Sequence, residues 1–232
     1  MRNQMMSDDV PFFKFPSTPH LLFAPEVLSR TDKLLPAEEK SILLSNVVTI
    51  EEKIDGANLG ISFNSSGELL LQNRGQYLLP PYLGQWEKLP SWLNIFETDL
   101  LDILEDKLIL FGEWCYARHS LHYTSLPNWF IGFDIYDIKI KKFYSVPRRN
   151  ALINKMGLPI VPLIEYGNLS IADIPSLLKQ SRYGECLSEG LYFRYDQHEW
   201  LNIRAKYVRS TFSQGIERHW SNSPFQKNQV VC

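Results

Sequence analysis

Three closely spaced runs, VVTIEEKI, NLGISF and ELLLQNR, begin at Val47 and are cut by Asp55-Gly56 and by a second turn at residues 65–67. Short apolar and β-branched stretches bounded by turn formers specify strands, not helices. Runs this close pair most simply as an antiparallel meander, which puts Lys53 at the end of its first strand. The chain is thereby restricted to folds built on antiparallel sheets.

Helical patterns interrupt the strands. Residues 38–44 suit a short helix, and residues 91–106 place Trp92, Ile95, Phe96, Leu100 and Ile103 at helical spacing. Two strands follow, 107–115 and 129–136, separated by a polar loop rich in His, Arg and Tyr. Ser145 is an N-cap type with Pro147 in the first turn and Gly157 a stop, giving a helix over 147–156. Ser170 with Asp173 suggests a second helix over 171–180. Strands return at 190–195 and 201–205, and a short helical tail is expected around 212–220. Strands in groups broken by helices give an α+β fold class with twisted antiparallel sheets.

With 232 residues and 44% hydrophobic content, one compact domain is expected. Residues 1–14 are expected to be a flexible N-terminus, 15–209 the domain and 210–232 a short tail. Lys plus Arg number 24 against 26 Asp plus Glu, a net charge of -2 that excludes a globally basic nucleic-acid coat. Phosphate binding must come from a local cluster. The cysteines, Cys115, Cys186 and Cys232, are far apart and odd in number, which argues against a disulfide framework or structural zinc site and for a reducing cytoplasm. The polar N-terminus and the lack of a long apolar run point to a soluble protein with no membrane partner.

Chemistry concentrates around Lys53-Ile54-Asp55-Gly56. A lysine at a strand end before a tight turn puts its amine at the lip of a sheet, where positive neighbours or desolvation lower its pKa and free the lone pair. In isolation the tetrapeptide reads more readily as a hairpin turn after a solvated lysine. The remaining candidates follow in order: Arg74 in QNRGQ, Glu113 in LFGEW, Phe133 and Asp134 in IGFDIYD, Glu189 in SEGLYFR, and Arg204 and Lys206 in IRAKYVR. Arg74 offers a planar fork for phosphate oxygens. Glu113 sits in an apolar strand, where a carboxylate is costly without a partner. Phe133 is a flat apolar face for a base, or a plain core aromatic, and Asp134 should point to the other side of the strand. Gly190, after Glu189, allows close backbone approach to a ligand. Arg204 and Lys206 alternate, so both cations share one face.

This order and spacing, running from about Thr49 to Arg209, resembles the covalent nucleotidyltransferase superfamily of ATP-dependent DNA ligases, RNA ligases and capping enzymes, most closely its RNA ligase 2 branch. The resemblance implies a nucleotidyltransferase (adenylation) core of two twisted antiparallel sheets with flanking helices and an ATP cleft between them. It implies an ATP-dependent RNA ligase that joins 5′-phosphate and 3′-hydroxyl ends through lysyl-AMP on Lys53 and adenylylated RNA. Lys53, Lys206, Arg204 and Glu189 are then the catalytic residues. Glu52, Asp55, Asn58, Arg74, Glu113, Phe133 and Asp134 bind the nucleotide, and Glu189 holds Mg²⁺ or Mn²⁺. The partner is RNA with a nicked or structured end. Members usually carry lysine at both positions of the KxK motif, whereas this chain has Arg204 at the first. A five-stranded OB-fold barrel, as follows the motif in DNA ligases and capping enzymes, does not fit in the tail after Lys206, so a minimal RNA ligase is expected.

Outside the motifs, the loop YARHSLHYTSLP resembles a His/Arg-rich stretch of similar ligases, which makes Arg118 and His122 candidates for gripping the 5′-phosphate end of the acceptor strand or the leaving pyrophosphate. Lys141 and Arg148, within the basic run Lys139, Lys141, Lys142, Arg148 and Arg149, are candidates for a nucleic-acid backbone track. Two rival functions share these residues: a ligase for nicked DNA or a DNA/RNA hybrid, and a catalytically inactive nucleotide- or RNA-binding module.

Overall fold

The computed structural model describes residues 12–23, 33–209 and 225–231. Among them the order of elements is α1 (Ala37–Leu44), β1 (Val47–Lys53), β2 (Ala57–Phe63), β3 (Leu69–Gln72), α2 (Leu89–Leu104), β4 (Leu108–Trp114), β5 (Phe130–Asp137), β6 (Lys142–Phe143), α3 (Val146–Lys155), β7 (Leu163–Asn168), α4 (Ile174–Leu177), β8 (Gly190–Gln197) and β9 (Trp200–Val208). They form a four-stranded sheet, β7-β1-β8-β9, and a five-stranded sheet, β3-β2-β4-β5-β6, with every strand pair antiparallel.

The expected meander is not formed. β1 pairs with β7 and β8, and β2 pairs with β3 and β4, so the chain leaves one sheet at Lys53 and enters the other at Ala57. The cause is that the two strands bury their apolar faces in different cores. Val48 and Ile50 pack with Leu43, Ile174, Leu191, Phe193 and Ala205, whereas Leu59, Ile61 and Phe63 pack with Trp92, Leu100, Leu110 and Ile135. Each fully buried aliphatic or aromatic side chain contributes about 1.5–3 kcal/mol, so partition into two cores outweighs the local preference for a hairpin. Asp55-Gly56 is therefore a crossover between sheets. At Gly56 a Cβ would come within 3.0 Å of the Cys115 Sγ, which keeps this position small.

Helix α2 lies on the outer face of the five-stranded sheet, where Trp92 meets the Trp114 ring at 5.7 Å and the Phe130 ring at 5.5 Å. Ile95, expected on its apolar stripe, instead faces outward at 71% exposure. α3 starts where expected, but Ser145 makes no side-chain cap, and the Val146 amide donates to Asp196 Oδ2 at 2.6 Å instead. Over 171–180 the chain makes a 3-10 turn, Ile171–Asp173, and only the four residues of α4, with Ser170 Oγ accepting from the Ala172 amide. β7 is an edge strand without apolar alternation, and neither it nor β6 carries a clear sequence signal.

The tail at 212–220 lies outside the described residues, as do residues 1–11. Phe13, within the segment expected to be flexible, stacks on Tyr136 at 3.8 Å. Residues 226–231 clasp the loop after β4: Asn228 Nδ2 donates to the Cys115 carbonyl at 2.8 Å, and its Oδ1 accepts from the Tyr123 amide at 2.9 Å.

Gly190 serves close packing of strands and not close approach of a ligand. A Cβ there would collide with the Tyr207 carbonyl oxygen of β9. Gly190→Ala is expected to destabilise the fold by about 1–3 kcal/mol, read as a lowered thermal midpoint with unchanged far-UV circular dichroism.

Candidate active site

Alternation along the four-stranded sheet sorts its residues by charge. Val48, Ile50, Leu191, Phe193 and Ala205 enter the core behind the sheet. The residues between them, Thr49, Glu51 and Lys53 on β1, Tyr192 and Arg194 on β8, and Arg204 and Lys206 on β9, share the other face. That face looks onto the five-stranded sheet, and the cleft between the sheets encloses a cavity of about 220 Å³. Lys53, Glu52, Arg74, Glu113, Phe133, Glu189 and Lys206 all line it. Residues far apart in sequence thus converge, because β4 and β5 supply Glu113 and Phe133 from one wall while β1 and β9 supply Lys53 and Lys206 from the other.

Lys53 Nζ donates to Glu189 Oε2 at 2.7 Å, with the two side chains 20% and 8% exposed. Burial pulls the amine down, but Glu189, then Glu113, the Glu189 hydrogen bond and Asp55 outweigh it, so its pKa lies above the ordinary lysine value. The depression expected from positive neighbours or desolvation does not prevail in this state. Lys53 here is an ammonium neutralised by carboxylates.

Those carboxylates are themselves perturbed. Burial lifts Glu113 to about 8 against the opposing pull of Lys53 and Arg74, and burial lifts Glu189 to about 7 against Lys53. Both folded pKa values exceed the ordinary glutamate value of 4.5, so the folded protein binds more protons than the unfolded chain between these limits. The stability these groups contribute is fully present below about 4.5 and is lost as pH rises through about 7 and 8. The ligand-free protein is therefore expected to melt at a higher temperature at about pH 5.5 than at about pH 8.5, measured by calorimetry in matched ionic strength.

Other expected site residues are placed differently. Asp55 turns away from the cavity, and its Oδ2 accepts from the Ser120 and Leu121 amides at 2.8 and 2.7 Å, fixing the loop that carries Arg118, His119 and His122. Asn58 stands opposite Glu113 in register, and both its amide atoms and Glu113 Oε2 are buried without a hydrogen-bond partner. Glu52 is anchored, with Ser181 Oγ donating to Oε1 at 2.6 Å and the Arg182 amide to Oε2 at 3.0 Å.

Asp134 was expected to point away from Phe133. A β-bulge between Phe111 and Gly112 in the β4–β5 ladder breaks the alternation. Phe133 lines the cavity while Asp134 reaches Arg194 Nη2 at 2.6 Å and Arg204 Nη1 at 3.1 Å on the opposite sheet. Arg204 is thereby a bridge between the sheets, with its guanidinium 4.6 Å from the Phe15 ring and 4.4 Å from the Phe143 ring. Lys206, on the same strand face, lines the cavity.

The basic run does not act as one track. Arg149 is fully buried, forms an ion pair with Glu51 and donates to the Phe133 carbonyl at 2.6 Å. Arg148 lies over the Tyr144 ring at 3.6 Å, and Lys141 is exposed in the β5–β6 turn. β4 and β5 run antiparallel, so Lys141 lies beyond the Leu108 end of the sheet and the Arg118–His122 loop beyond the Trp114 end. At about 3.3 Å per residue this separates the two sets by roughly 20 Å.

Sequence reasoning missed Glu51, Tyr192, Arg194 and the N-terminal residues Phe15, Ser17, Thr18 and His20, all of which line the cavity. Arg194 carried a usable signal, since a guanidinium inside GLYFRYD demands a buried partner as Glu113 does.

The architecture is that of a cleft-forming α+β domain, two antiparallel sheets with flanking helices, whose lysine lies at the junction between sheets. Residues 46–208 match the family described as RNA ligase, and the chain belongs to that family. Comparison with curated proteins gives no match. Among solved structures, a mutant of Naegleria gruberi RNA ligase with ATP and Mn aligns with TM-score 0.65 at 15% identity, over 86% of this chain and 57% of that one. Another mutant with ATP and Mn gives 0.63 at 16% identity over 88% and 57%, and one with AMP and Mn gives 0.60 at 17% over 86% and 62%. At these identities the likeness is one of fold, and the chain spans less than two thirds of the length of these solved chains. No helix among the described residues is long and apolar enough to cross a membrane.

Proposed function

We propose that this chain is an ATP-dependent RNA ligase that seals a 5′-phosphate to a 3′-hydroxyl, as in repair of a nicked duplex, with Lys53 as the nucleophile. The observation that carries this reading is the placement of Lys53 at one spot with Glu113, Glu189, Lys206 and Phe133, facing each other across the cleft. The Naegleria gruberi structures with ATP, AMP and Mn support the same choice of nucleotide and ion.

In the first step Lys53 Nζ attacks the α-phosphorus of ATP, a P–N bond forms and pyrophosphate leaves. The amine must first lose its extra proton, and Glu189 Oε2, at 2.7 Å, is placed to accept it. Lys206 and Arg74 neutralise the phosphates, and Phe133 supplies the stacking face for adenine. Glu113 Oε2 and the Asn58 amide, buried and unpartnered, are acceptors and donors awaiting the sugar or base. AMP then passes to the RNA 5′-phosphate, and the 3′-hydroxyl displaces it to form the phosphodiester bond. These two steps depend on positioning and charge.

The site suits a divalent ion. Burial raises the pKa of both Glu189 and Glu113, so a nearby cation would favour their ionised forms, and among the described residues Glu113 Oε2 is buried without a hydrogen-bond partner. No group of three or more His, Cys, Asp or Glu among the described residues forms a closed metal site. Glu189 is the residue that would hold Mg²⁺ or Mn²⁺. When bound, the ion supplies positive charge against the phosphates.

Arg204, at the position where similar ligases have lysine, is committed to Asp134, and its presence does not empty the cleft of cations, because Lys206 remains. Duplexes with one nick and matched sequence, differing only in ribose or deoxyribose at the 3′-hydroxyl, separate RNA from DNA sealing. Sealing with a terminal ribose and loss with deoxyribose is expected; equal or better sealing of all-DNA nicks would make the chain a DNA ligase, and no sealing of any nick despite ATP binding would make it a binding module.

A further inference from the structure

The family match begins at residue 46, yet part of the cleft wall comes from well upstream of it. Phe15, Ser17, Thr18 and His20 line the cavity. The prolines at 16 and 19 keep this stretch extended, and it is fixed at both ends. At its start Gln72 Nε2 donates to the Phe13 carbonyl at 2.7 Å and the Phe13 ring stacks on Tyr136, which ties it to the five-stranded sheet. At its end the Lys206 amide donates to the Pro19 carbonyl at 2.9 Å and the Leu21 amide to the Lys206 carbonyl at 2.8 Å, which adds it to the edge of β9. Between these anchors the Thr18 and Tyr192 hydroxyls share a hydrogen bond at 2.7 Å, and Phe15 meets Phe133 edge to face at 5.4 Å.

We propose that residues 13–21 form a built-in wall of the nucleoside triphosphate site, with Phe15 closing the base end against Phe133 and Thr18 bracing Tyr192 beside Lys206 at the phosphate end. This rests on the nucleotide reading of the cleft. Phe15 is held from behind by the Phe111 ring at 4.9 Å and the Arg204 guanidinium at 4.6 Å, so its ring cannot swing aside to admit a deeper ligand. It therefore sets the depth available to a base stacked on Phe133. A segment that merely plugged the cleft would have the opposite effect: loosening it would favour the nucleotide, whereas loosening a wall weakens binding.

The sign of the change decides, measured by titration calorimetry of the full chain with ATP and, as a probe without a base, with inorganic tripolyphosphate. Phe13 anchors the segment without lining the cavity, and Phe13→Ala is expected to raise the Kd for ATP about 10-fold. Phe15→Leu is expected to raise the Kd for ATP about 5-fold, with a smaller change for tripolyphosphate, because the lost contact is to the base. Thr18→Val, which removes a single half-buried hydroxyl, covers the case in which a phenylalanine variant fails to fold, and a Kd for ATP raised about 3-fold is expected. Unchanged or tighter ATP binding in the folded variants overturns the wall while leaving the nucleotide site intact. Failure of the unmodified chain to bind ATP overturns both.

Discussion

If Lys53 is the proposed nucleophile, Lys53→Ala is expected to lower transfer of α-labelled AMP to the protein by on the order of 10³-fold or more, yet to leave sealing of pre-adenylylated RNA measurable. In the proposed mechanism only the first step uses the amine, so its loss separates the covalent step from the two that follow. The variant is expected to fold: Lys53 is partly exposed, and alanine removes an ammonium whose partner Glu189 already sits at about 7 and takes up a proton once that charge is gone. Gel labelling and a sealing assay with a pre-adenylylated strand, run on the same preparation, check both halves. Persistent labelling in this variant would remove Lys53 from the mechanism.

Asp134→Ala produces the largest stability change expected anywhere in the molecule. Asp134 and Arg194 are both fully buried, and Arg204, largely buried, completes the cluster that ties β5 to β8 and β9. Neutralising two guanidiniums from one carboxylate is tolerable in the interior only while the hydrogen bonds hold. Removing the carboxylate leaves Arg194 as a buried charge whose remaining hydrogen bonds among the described residues are to carbonyls, those of Tyr144 at 3.4 Å and Phe133 at 3.5 Å, with Glu51 as the nearby carboxylate. The expected cost is about 3–5 kcal/mol, which for a chain of this size lowers the melting temperature by roughly 10 °C. Because the cluster sets the spacing of the two sheets, ATP binding should weaken in parallel. A melting temperature within about 2 °C of the parent would show that the cluster is not what holds the sheets together.

The part of the site that was legible in the sequence is the part encoded in short motifs. Lys53, Glu113, Phe133, Glu189 and Lys206 each sit in a local pattern with a strand end, an apolar run or an alternation, and the structure brings these five to one cleft. What escaped depends on pairings across long sequence separations. The meander failed because apolar faces on β1 and β2 fit separate cores, and no local propensity records that choice. Asp134 was assigned to the wrong side because a bulge, which depends on the partner strand, broke the alternation. Arg149 looked like a solvated charge among lysines, but Glu51, far upstream, buries it. The N-terminal segment has no periodicity at all, since an extended stretch held by its neighbours leaves no pattern in its own residues. Likewise the Lys53 amine was expected to be depressed by cations, whereas the three carboxylates around it outweigh burial and raise it.

The protonated state of Lys53 also gives a direction for catalysis. With the amine above its ordinary value and Glu189 near 7, the fraction of enzyme with a neutral amine grows with pH, so the single-turnover rate of AMP transfer should rise from about pH 6 to about pH 9. Over the same interval the ligand-free fold loses stability.

Everything rests on AMP becoming bonded to one amine. The chain incubated with ATP and Mg²⁺, digested and mapped by tandem mass spectrometry, should carry a single AMP adduct on the peptide containing Lys53, with the fragment ions placing it on that side chain. An adduct on a different lysine, Lys206 included, or none on a protein that binds ATP, would contradict the account.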